Sequence, residues 1–236
     1  MTCLKTFGAS LLFAFVLQSG AQASPIVFDA GAEFSFSNNP NLSWSYGYTP
    51  ALGVAFNFNA YTQTATAVGV QFWRNDASNF GTPNVGLNPT GSDITFASTT
   101  FRPNQLTLHP GPNGELSVVR FIAPTSGAYS LTSLFNMRSF GGSHSTDVHV
   151  LLNNVEQFTD VVATFDDQKT FNSALGLASG DVLDFVVGAN NDFLGDTTEL
   201  RARLEYAPTQ VPEPWTAALF ATAVGLLAMM RRRTGR

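Results

Sequence analysis

The chain has 236 residues, of which 44% are hydrophobic and only 12% are charged, and its formal net charge is −5 at neutral pH. Residues 24–210 carry 16 acidic against 7 basic side chains, and a field of that sign argues against nucleic acid or an anionic lipid surface as a partner. The single cysteine is Cys3, so the rest of the chain has no disulfide, thiolate zinc site or cysteine nucleophile.

The N-terminal stretch is typical of a secretory signal peptide. Lys5 precedes an apolar run at residues 7–17, and Ala21 and Ala23 place small residues at the spacing that a signal peptidase accepts. The run is about half of the roughly 20 apolar residues that a transmembrane helix requires. We therefore predict that residues 1–23 are a signal peptide cleaved after Ala23, and that the protein is exported through the inner membrane.

Residues 24–207 show the period-two alternation of antiparallel strands. In ELRARLEY (residues 199–206), apolar side chains alternate with charged ones, and the stretch LSVVRFIA (residues 116–123) is apolar on both faces, as a central strand would be. About ten to twelve such short strands are separated by Gly, Pro, Asn and Ser. The pattern predicts one all-β domain, a two-sheet antiparallel β-sandwich of jelly-roll type.

A possible ligand site follows one of these strands. In VGVQFWRND (residues 68–76), alternation separates Trp73 from the Val and Phe side chains, and we expect a half-exposed indole. A flat aromatic surface beside donors and acceptors suits the C–H face of a sugar ring. The predicted glycan-binding residues are Trp73, Arg74, Asn75 and Asp76. The alternative is a partly buried structural aromatic, the interpretation favoured for the row Trp44, Tyr46 and Tyr48.

Catalytic patterns are sparse. The stretch GGSHS (residues 141–145) lacks the last glycine of a nucleophile elbow. The pairs Asp166–Asp167 and Asp181–Asp184 offer the two carboxylates that a glycosidase needs, but neighbouring acids are more often turn formers. A glycoside or ester hydrolase is therefore the less favoured alternative.

Four stretches between residues 106 and 205 are similar to jelly-roll domains found in envelope proteins and beside carbohydrate-active modules. They are VVRFIAPTSGAYSL, HVLLNNVEQF, LASGDVLDFVVG and DTTELRARLE. The resemblance supports the fold, and it implies a carbohydrate-binding module as an alternative function.

The same resemblance implies a structural calcium ion that links the first and last strands. The loop GANNDFLGDTTE (residues 188–199) is rich in the oxygen ligands that calcium prefers. Asp192 and Asp196 would be joined there by Asp29 or Glu33. The alternative is a solvated turn whose Asp and Asn side chains bond their own backbone.

The C-terminal segment is typical of a membrane anchor. A Pro-rich linker at residues 208–214 precedes an apolar run at residues 215–230, and Arg231, Arg232 and Arg233 follow at once. A helix of that length is slightly shorter than the hydrocarbon core, and flanking residues can extend it. The arginines predict a basic cytoplasmic tail at residues 231–236.

The motif Val211-Pro212-Glu213-Pro214, the apolar helix and the arginine cluster together resemble the PEP-CTERM sorting signal. This resemblance implies an exosortase-type enzyme that removes the tail, transient anchoring in the membrane, and delivery to the cell surface or extracellular matrix. We therefore predict a non-catalytic envelope or matrix protein associated with exopolysaccharide. The first alternative is a carbohydrate-binding module with a specific glycan ligand.

Overall fold

The computed structural model describes residues 24–76 and 83–208. The predicted signal peptide, the sorting motif, the apolar run at residues 215–230 and the arginines after it lie outside these residues. Within the described ranges, no helix is long and apolar enough to span a bilayer.

The regular secondary structure in the described part of the chain consists of β-strands, which confirms the predicted all-β class. A single turn of 3-10 helix, Gly53–Ala55, interrupts them. The first eight strands are β1 (Ile26–Asp29), β2 (Trp44–Thr49), β3 (Asn59–Ala60), β4 (Gln63–Ala67), β5 (Val70–Arg74), β6 (Asn84–Leu87), β7 (Ile94–Phe96) and β8 (Thr99–Phe101). The other eight are β9 (Leu106–His109), β10 (Leu116–Ile122), β11 (Gly127–Met137), β12 (Thr146–Leu152), β13 (Val155–Val162), β14 (Gln168–Leu177), β15 (Val182–Val187) and β16 (Thr198–Tyr206).

Fourteen of these strands form two antiparallel sheets. Sheet A has eight strands in the order β14-β11-β16-β9-β6-β5-β4, with β1 also paired to β16. Sheet B has six strands in the order β13-β12-β15-β10-β2-β3. The hairpin β7–β8 stands apart from both sheets.

The main core lies between the two sheets, which makes the fold a β-sandwich. Leu200 and Leu204 of β16 point inward and belong to the same buried cluster as Phe121 and Phe185 of sheet B. Trp44 and Tyr46 are also buried in this cluster, so that aromatic row is core, as the sequence favours. The inward alternation predicted for ELRARLEY is confirmed.

The two outer faces are covered to different extents. On sheet B, Leu52, Phe56 and Phe58 fold over an apolar patch that includes Val118 and Val186. On sheet A, the β7–β8 hairpin packs Phe101 and Ile94 against β4 and β5. The open half of sheet A, formed by β14, β11, β16 and β1, carries mostly exposed outward side chains.

Candidate functional site

The open half of sheet A contains a groove of about 470 Å³. Its floor is formed by β14, β11 and β16, and the segment of residues 103–105 lines it on the side of the covered half. The side chains that define this groove are Thr132, Leu134, Thr170, Asn172, Arg201 and Arg203, with Asp29, Asn104 and Gln105 at its rim.

Strand register brings these floor residues together. Thr132 lies opposite Asn172 on one neighbouring strand and opposite Arg203 on the other, and Asp29 lies beyond Arg203 on β1. Leu134 in the same way lies between two groove residues, one on each side. Because every second side chain of a strand points to the same face, these two rows are adjacent on the outer surface.

A buried carboxylate fixes one end of the groove. Glu199 is only 1% exposed, and its Oε1 accepts a hydrogen bond of 2.7 Å from Nε of Arg201. The side-chain amide of Gln105, oriented to satisfy its neighbours, donates to Glu199 and accepts from Arg201 Nη2 at 2.8 Å. The arginine is therefore held by two partners, while its side chain stays 51% exposed to the groove.

Two further arginines lie near the same carboxylate, and neither of them lines the groove. Nε of Arg138 lies 3.7 Å from Glu199, and Arg102 lies 3.9 Å from it. Both arginines also pair with Asp166. Burial lowers the pKa of the Arg138 guanidinium, against the opposing effect of these acids.

The groove thus combines donors, acceptors and one apolar floor residue. Arg203 pairs with Glu205, and its side chain is 45% exposed. Asn172 Oδ1 accepts the Ser133 N–H at 3.3 Å, which leaves the amide NH2 group available to a ligand. Positive and negative charges are nearly balanced here, so the arrangement suits an uncharged ligand with many hydroxyl groups.

The rim beside β1 depends on close backbone packing. Oδ1 of Asp29 accepts the N–H groups of Gly31 and Ala32 at 3.0 and 2.9 Å. A Cβ atom at Gly31 would lie 2.9 Å from the carbonyl oxygen of Asn104, so only glycine lets the two segments meet without a shift. This contact joins the turn after β1 to the segment that lines the groove.

The predicted site around Trp73 differs from the structure. Trp73 is only 6% exposed, packs in the main core and donates from Nε1 to the carbonyl of Ser35 at 2.6 Å. The expectation of a half-exposed indole is therefore wrong. The reason is that β5 is an interior strand, with the sandwich core on one face and the β7–β8 hairpin on the other.

The other three residues of that predicted site differ from one another in solvent exposure. Arg74 is buried, Asn75 is half-buried and Asp76 is exposed. They occupy the end of β5 and the segment after it, away from the groove residues.

The four predicted calcium ligands do not converge. In the register of β1 with β16, Asp29 lies opposite Arg203, near the end of β16. Asp196 lies before the first residue of that strand. Along β16 alone, Arg203 lies five residues beyond Thr198, which corresponds to about 17 Å. The predicted link between the first and last strands is therefore wrong. No group of three His, Cys, Asp or Glu side chains within residues 24–76 and 83–208 is arranged to hold a metal ion.

Two of the four predicted calcium ligands, Asp192 and Glu33, have other surroundings. Oδ1 of Asp192 accepts the N–H of Leu194 at 3.1 Å, as the alternative of an Asx-rich turn requires. Glu33 lies beside Trp44 and Tyr46, and burial raises the pKa of its carboxyl group.

Of the four predicted calcium ligands, Asp196 has the most unusual environment for a carboxyl group. It is fully buried, and neither carboxylate oxygen makes a hydrogen bond of normal geometry. Burial raises the pKa of this carboxyl group to about 8, with smaller contributions in the same direction from Asp192 and Asp147 and a partial offset from the Ser145 backbone. The group is therefore mostly protonated at neutral pH.

The acids considered for hydrolysis are each held by other partners. Asp184 receives two hydrogen bonds from Arg120, and Asp166 pairs with Arg102 and Arg138. Asp181 and Asp167 accept backbone N–H groups in turns. These contacts match the turn-forming and structural interpretation of the acid pairs.

The groove itself was not predicted from the sequence. The alternation of ELRARLEY places Arg201 and Arg203 on the wet face, which is the only signal that pointed toward it. The partners on β11 and β14 are more than 25 residues away in the chain, and no local pattern indicates that they would be in register with β16.

The comparisons with known proteins find similarity only among solved structures. No protein-family profile matches the sequence, and no curated protein matches it. The chain is similar to a CBM51 domain from Clostridium perfringens GH95 in complex with methyl-galactose, with 13% identity and a TM-score of 0.35 over 68% of this chain and 99% of that one. It is also similar to a family 35 carbohydrate binding module from Clostridium thermocellum, with 10% identity and a TM-score of 0.32 over 77% of this chain and 98% of that one.

Proposed function

We propose that the β-sandwich binds carbohydrate in the groove on the open half of sheet A. The observation that carries this proposal is the register-built set of polar side chains around Leu134, which lines a groove of about 470 Å³. The modules named above are too distant to decide the ligand, so the chemistry of the groove supplies the support.

Sugars require the combination of groups that this groove offers. Each hydroxyl can donate and accept, so it suits planar groups such as Arg201, Asn172 and Gln105 that present fixed donors or acceptors. The apolar side chain of Leu134 lies between these polar groups and can contact the C–H face of a ring. Fixed side chains also reduce the entropy lost on binding, because Arg201 is already held by Glu199 and Gln105.

The electrostatics favour a neutral or weakly charged glycan. The described domain is acidic overall, and this opposes the approach of a strongly anionic polymer. Within the groove, Arg201 and Arg203 are offset by Glu199, Glu205 and Asp29. A ligand of many hydroxyls and little charge therefore matches the site best.

The predicted signals at the two ends of the chain support a location at the cell surface. The predicted signal peptide at residues 1–23 would export the domain, and the predicted sorting signal at residues 211–236 would hold it at the membrane until an exosortase-type enzyme removes the tail. An exopolysaccharide of the producing cell is then the glycan within reach. Mass spectrometry of the released protein tests this part, and a product that still ends at Arg236 would contradict removal of the tail.

Affinity electrophoresis tests the binding function. Native gels that contain soluble β-glucan, xylan, mannan or galactan should retard the protein in at least one case. Thr132→Trp fills the groove and Asn172→Ala removes a donor, and each should weaken retardation by about tenfold, which corresponds to about 1.4 kcal/mol. Thr159→Ala, an exposed threonine on β13 of sheet B, is the matched control and should migrate as the parent protein does.

Two results would refute the proposal. One is that no polysaccharide of the panel, nor the polymer made by the producing cell, retards the parent protein. The other is that Thr132→Trp, with an unchanged melting curve, is retarded as strongly as the parent.

A further inference from the structure

The surface beside the groove is also indented toward one end of the sandwich. A second depression of about 380 Å³ lies on the same outward face, where β11 and β14 begin and end. Its floor residues are small, namely Ala128, Ser130, Ala174 and Gly176. Ser130 pairs with Ala174 and with Glu205, so this row directly follows the row of Thr132, Asn172 and Arg203.

The opposite end of the same strands carries two exposed aromatic side chains. Phe140 and Phe165 are 37% and 42% exposed, and their rings meet edge to face with centroids 5.7 Å apart. The guanidinium of Arg138 lies 4.8 Å from the centre of the Phe165 ring. The pair is therefore fixed to the charged cluster around Glu199 and Asp166, which borders the groove.

These three features follow one another along β11. From Ala128 to Arg138 the extended backbone covers about 30 Å, since a strand rises about 3.3 Å per residue. Small side chains come first, the polar groove lies in the middle, and the aromatic pair lies beyond the end of the strand. A ligand the size of one or two sugar residues would occupy only the middle of this surface.

We propose that sheet A binds a single linear polysaccharide chain that lies along β11, from the depression at Ala128 through the groove to Phe140 and Phe165. This inference rests on the proposed carbohydrate binding and adds the form of the ligand and two outer subsites. The small residues let a sugar ring approach the sheet closely. The aromatic pair offers an apolar surface to the C–H face of a ring at the other end.

Chain length is the variable that tests this inference. The polysaccharide that gives the strongest retardation is hydrolysed to a disaccharide, a tetrasaccharide and an octasaccharide, and the affinity of each for the purified protein is measured by titration calorimetry. Affinity should rise by more than tenfold from the disaccharide to the octasaccharide, because only the longer chains reach the outer subsites.

Variants at the two ends locate the additional contacts. Phe165→Ala and Ala174→Trp should each lower the affinity for the octasaccharide severalfold, and the loss should shrink as the oligosaccharide shortens. Phe96→Ala is the matched control, since Phe96 is at least as exposed as Phe165 but belongs to the hairpin over the covered half of sheet A. Melting curves confirm that each variant is folded, and the two end variants report independently of one another.

The outcomes separate this inference from the function on which it rests. If the disaccharide binds as tightly as the octasaccharide and Thr132→Trp abolishes both, the groove binds sugar but the extended subsites do not exist. If Phe165→Ala and Ala174→Trp both bind the octasaccharide like the parent protein, the inference is also overturned. If no saccharide of any length binds, both proposals fail together.

Discussion

The outer faces of the two sheets differ in their side chains and in their cover. The outer face of sheet B combines the ion pair of Arg120 and Asp184 with an apolar patch that includes Val118 and Val186, whereas the open half of sheet A turns mostly polar and charged side chains outward. On sheet B, Phe58 and its neighbours fold over the strands, so the outward Asp184 is fully buried. On the open half of sheet A nothing in the described ranges folds over the strands, and Arg201 and Arg203 stay half-exposed.

This difference shows that burial of a face depends on the segments that cross it as well as on the side chains that its strands turn outward. The Phe58 ring lies 4.2 Å from the Arg120 guanidinium, so the cover turns a surface ion pair into an interior one. A Cβ atom on Gly47 would come within 2.7 Å of the Phe58 ring, which shows how closely this cover sits on β2. On the open half of sheet A, the ion-paired arginines stay accessible to solvent, and hence to a ligand.

Replacing the arginine of an ion pair by alanine should lower the free energy of unfolding much more on the covered face than on the open face. Arg120 donates to Asp184 at 2.7 and 2.9 Å, while burial still raises the pKa of that carboxyl group. Arg120→Ala would leave a buried acid without its partner and should lower the free energy of unfolding by about 3–5 kcal/mol. Denaturant titration at neutral pH measures this loss.

Arg203→Ala is the matched control on the open face. Its partner Glu205 is also partly exposed, and such pairs contribute about 0–1 kcal/mol. If Arg203→Ala destabilised the protein as much as Arg120→Ala, the two faces would not differ in the way that their burial indicates. A double variant, Arg120→Met with Asp184→Leu, should recover much of the loss, because no unpaired charge is then buried.

The cover of sheet B gives the next largest effect. Phe58→Ala removes a half-buried ring from the apolar patch and from the face of Arg120, and it should cost about 2 kcal/mol, less than a fully buried phenylalanine would. Phe165→Ala on the other face removes an exposed ring and should cost well under that amount. Equal losses in stability for the two variants would contradict the distinction between a covered and an open face.

The fold class could be predicted from local alternation because a strand at the surface alternates apolar side chains that face the core with polar side chains that face solvent. ELRARLEY gave the correct faces, since β16 has the core on one side and solvent on the other. The same reasoning failed for Trp73, because β5 turns Trp73 toward the sandwich core, while the β7–β8 hairpin, which comes later in the chain, covers the opposite face with Val70 and Phe72. Alternation cannot distinguish a wet face from one that a distant segment conceals.

The candidate site was harder to predict because it depends on pairing. Thr132, Asn172 and Arg203 become neighbours through the registers of three strands, and Asp29 joins them only because β1 pairs with the late part of β16. The same pairing separates Asp29 from Asp196 and removes the predicted calcium site. Sequence composition indicated the right residue types in both cases, but distance in the fold decided which of them meet.

The smallest expected effect concerns pH and again distinguishes the two faces. On sheet B, His149 lies between Asp147 and Glu156, with ring nitrogens 2.8 and 2.7 Å from their carboxylate oxygens. Although burial opposes it, these two acids raise the pKa of His149, and the histidine lowers the pKa of Asp147. Both contacts require a doubly protonated ring, so the network is charged when it is intact.

The sign of the effect follows from these directions. His149 stabilises the fold fully below its unfolded pKa of about 6.5, and this contribution is lost as pH rises through its higher folded pKa. Asp147 contributes above its unfolded pKa of about 3.9 and loses its contribution as pH falls. The His149 network should therefore contribute a decline in the unfolding free energy above pH 6.5 of on the order of 1 kcal/mol, since Glu156 is half-exposed and water screens its charge. Asp196, whose folded pKa of about 8 lies above its unfolded value, adds a separate decline up to that pH.

His149→Gln should remove the contribution of His149 to this decline and leave that of Asp196, because glutamine has no proton to lose. Thr159→Ala, which changes the neutral residue opposite His149 on β13, should keep it. Denaturant titrations from pH 5 to pH 9 compare the three proteins, and a decline of the same size in His149→Gln would assign it to another group. Because the groove on sheet A does not include His149, polysaccharide retardation should be the same in His149→Gln and in the parent protein, which separates the stability of one face from the binding of the other.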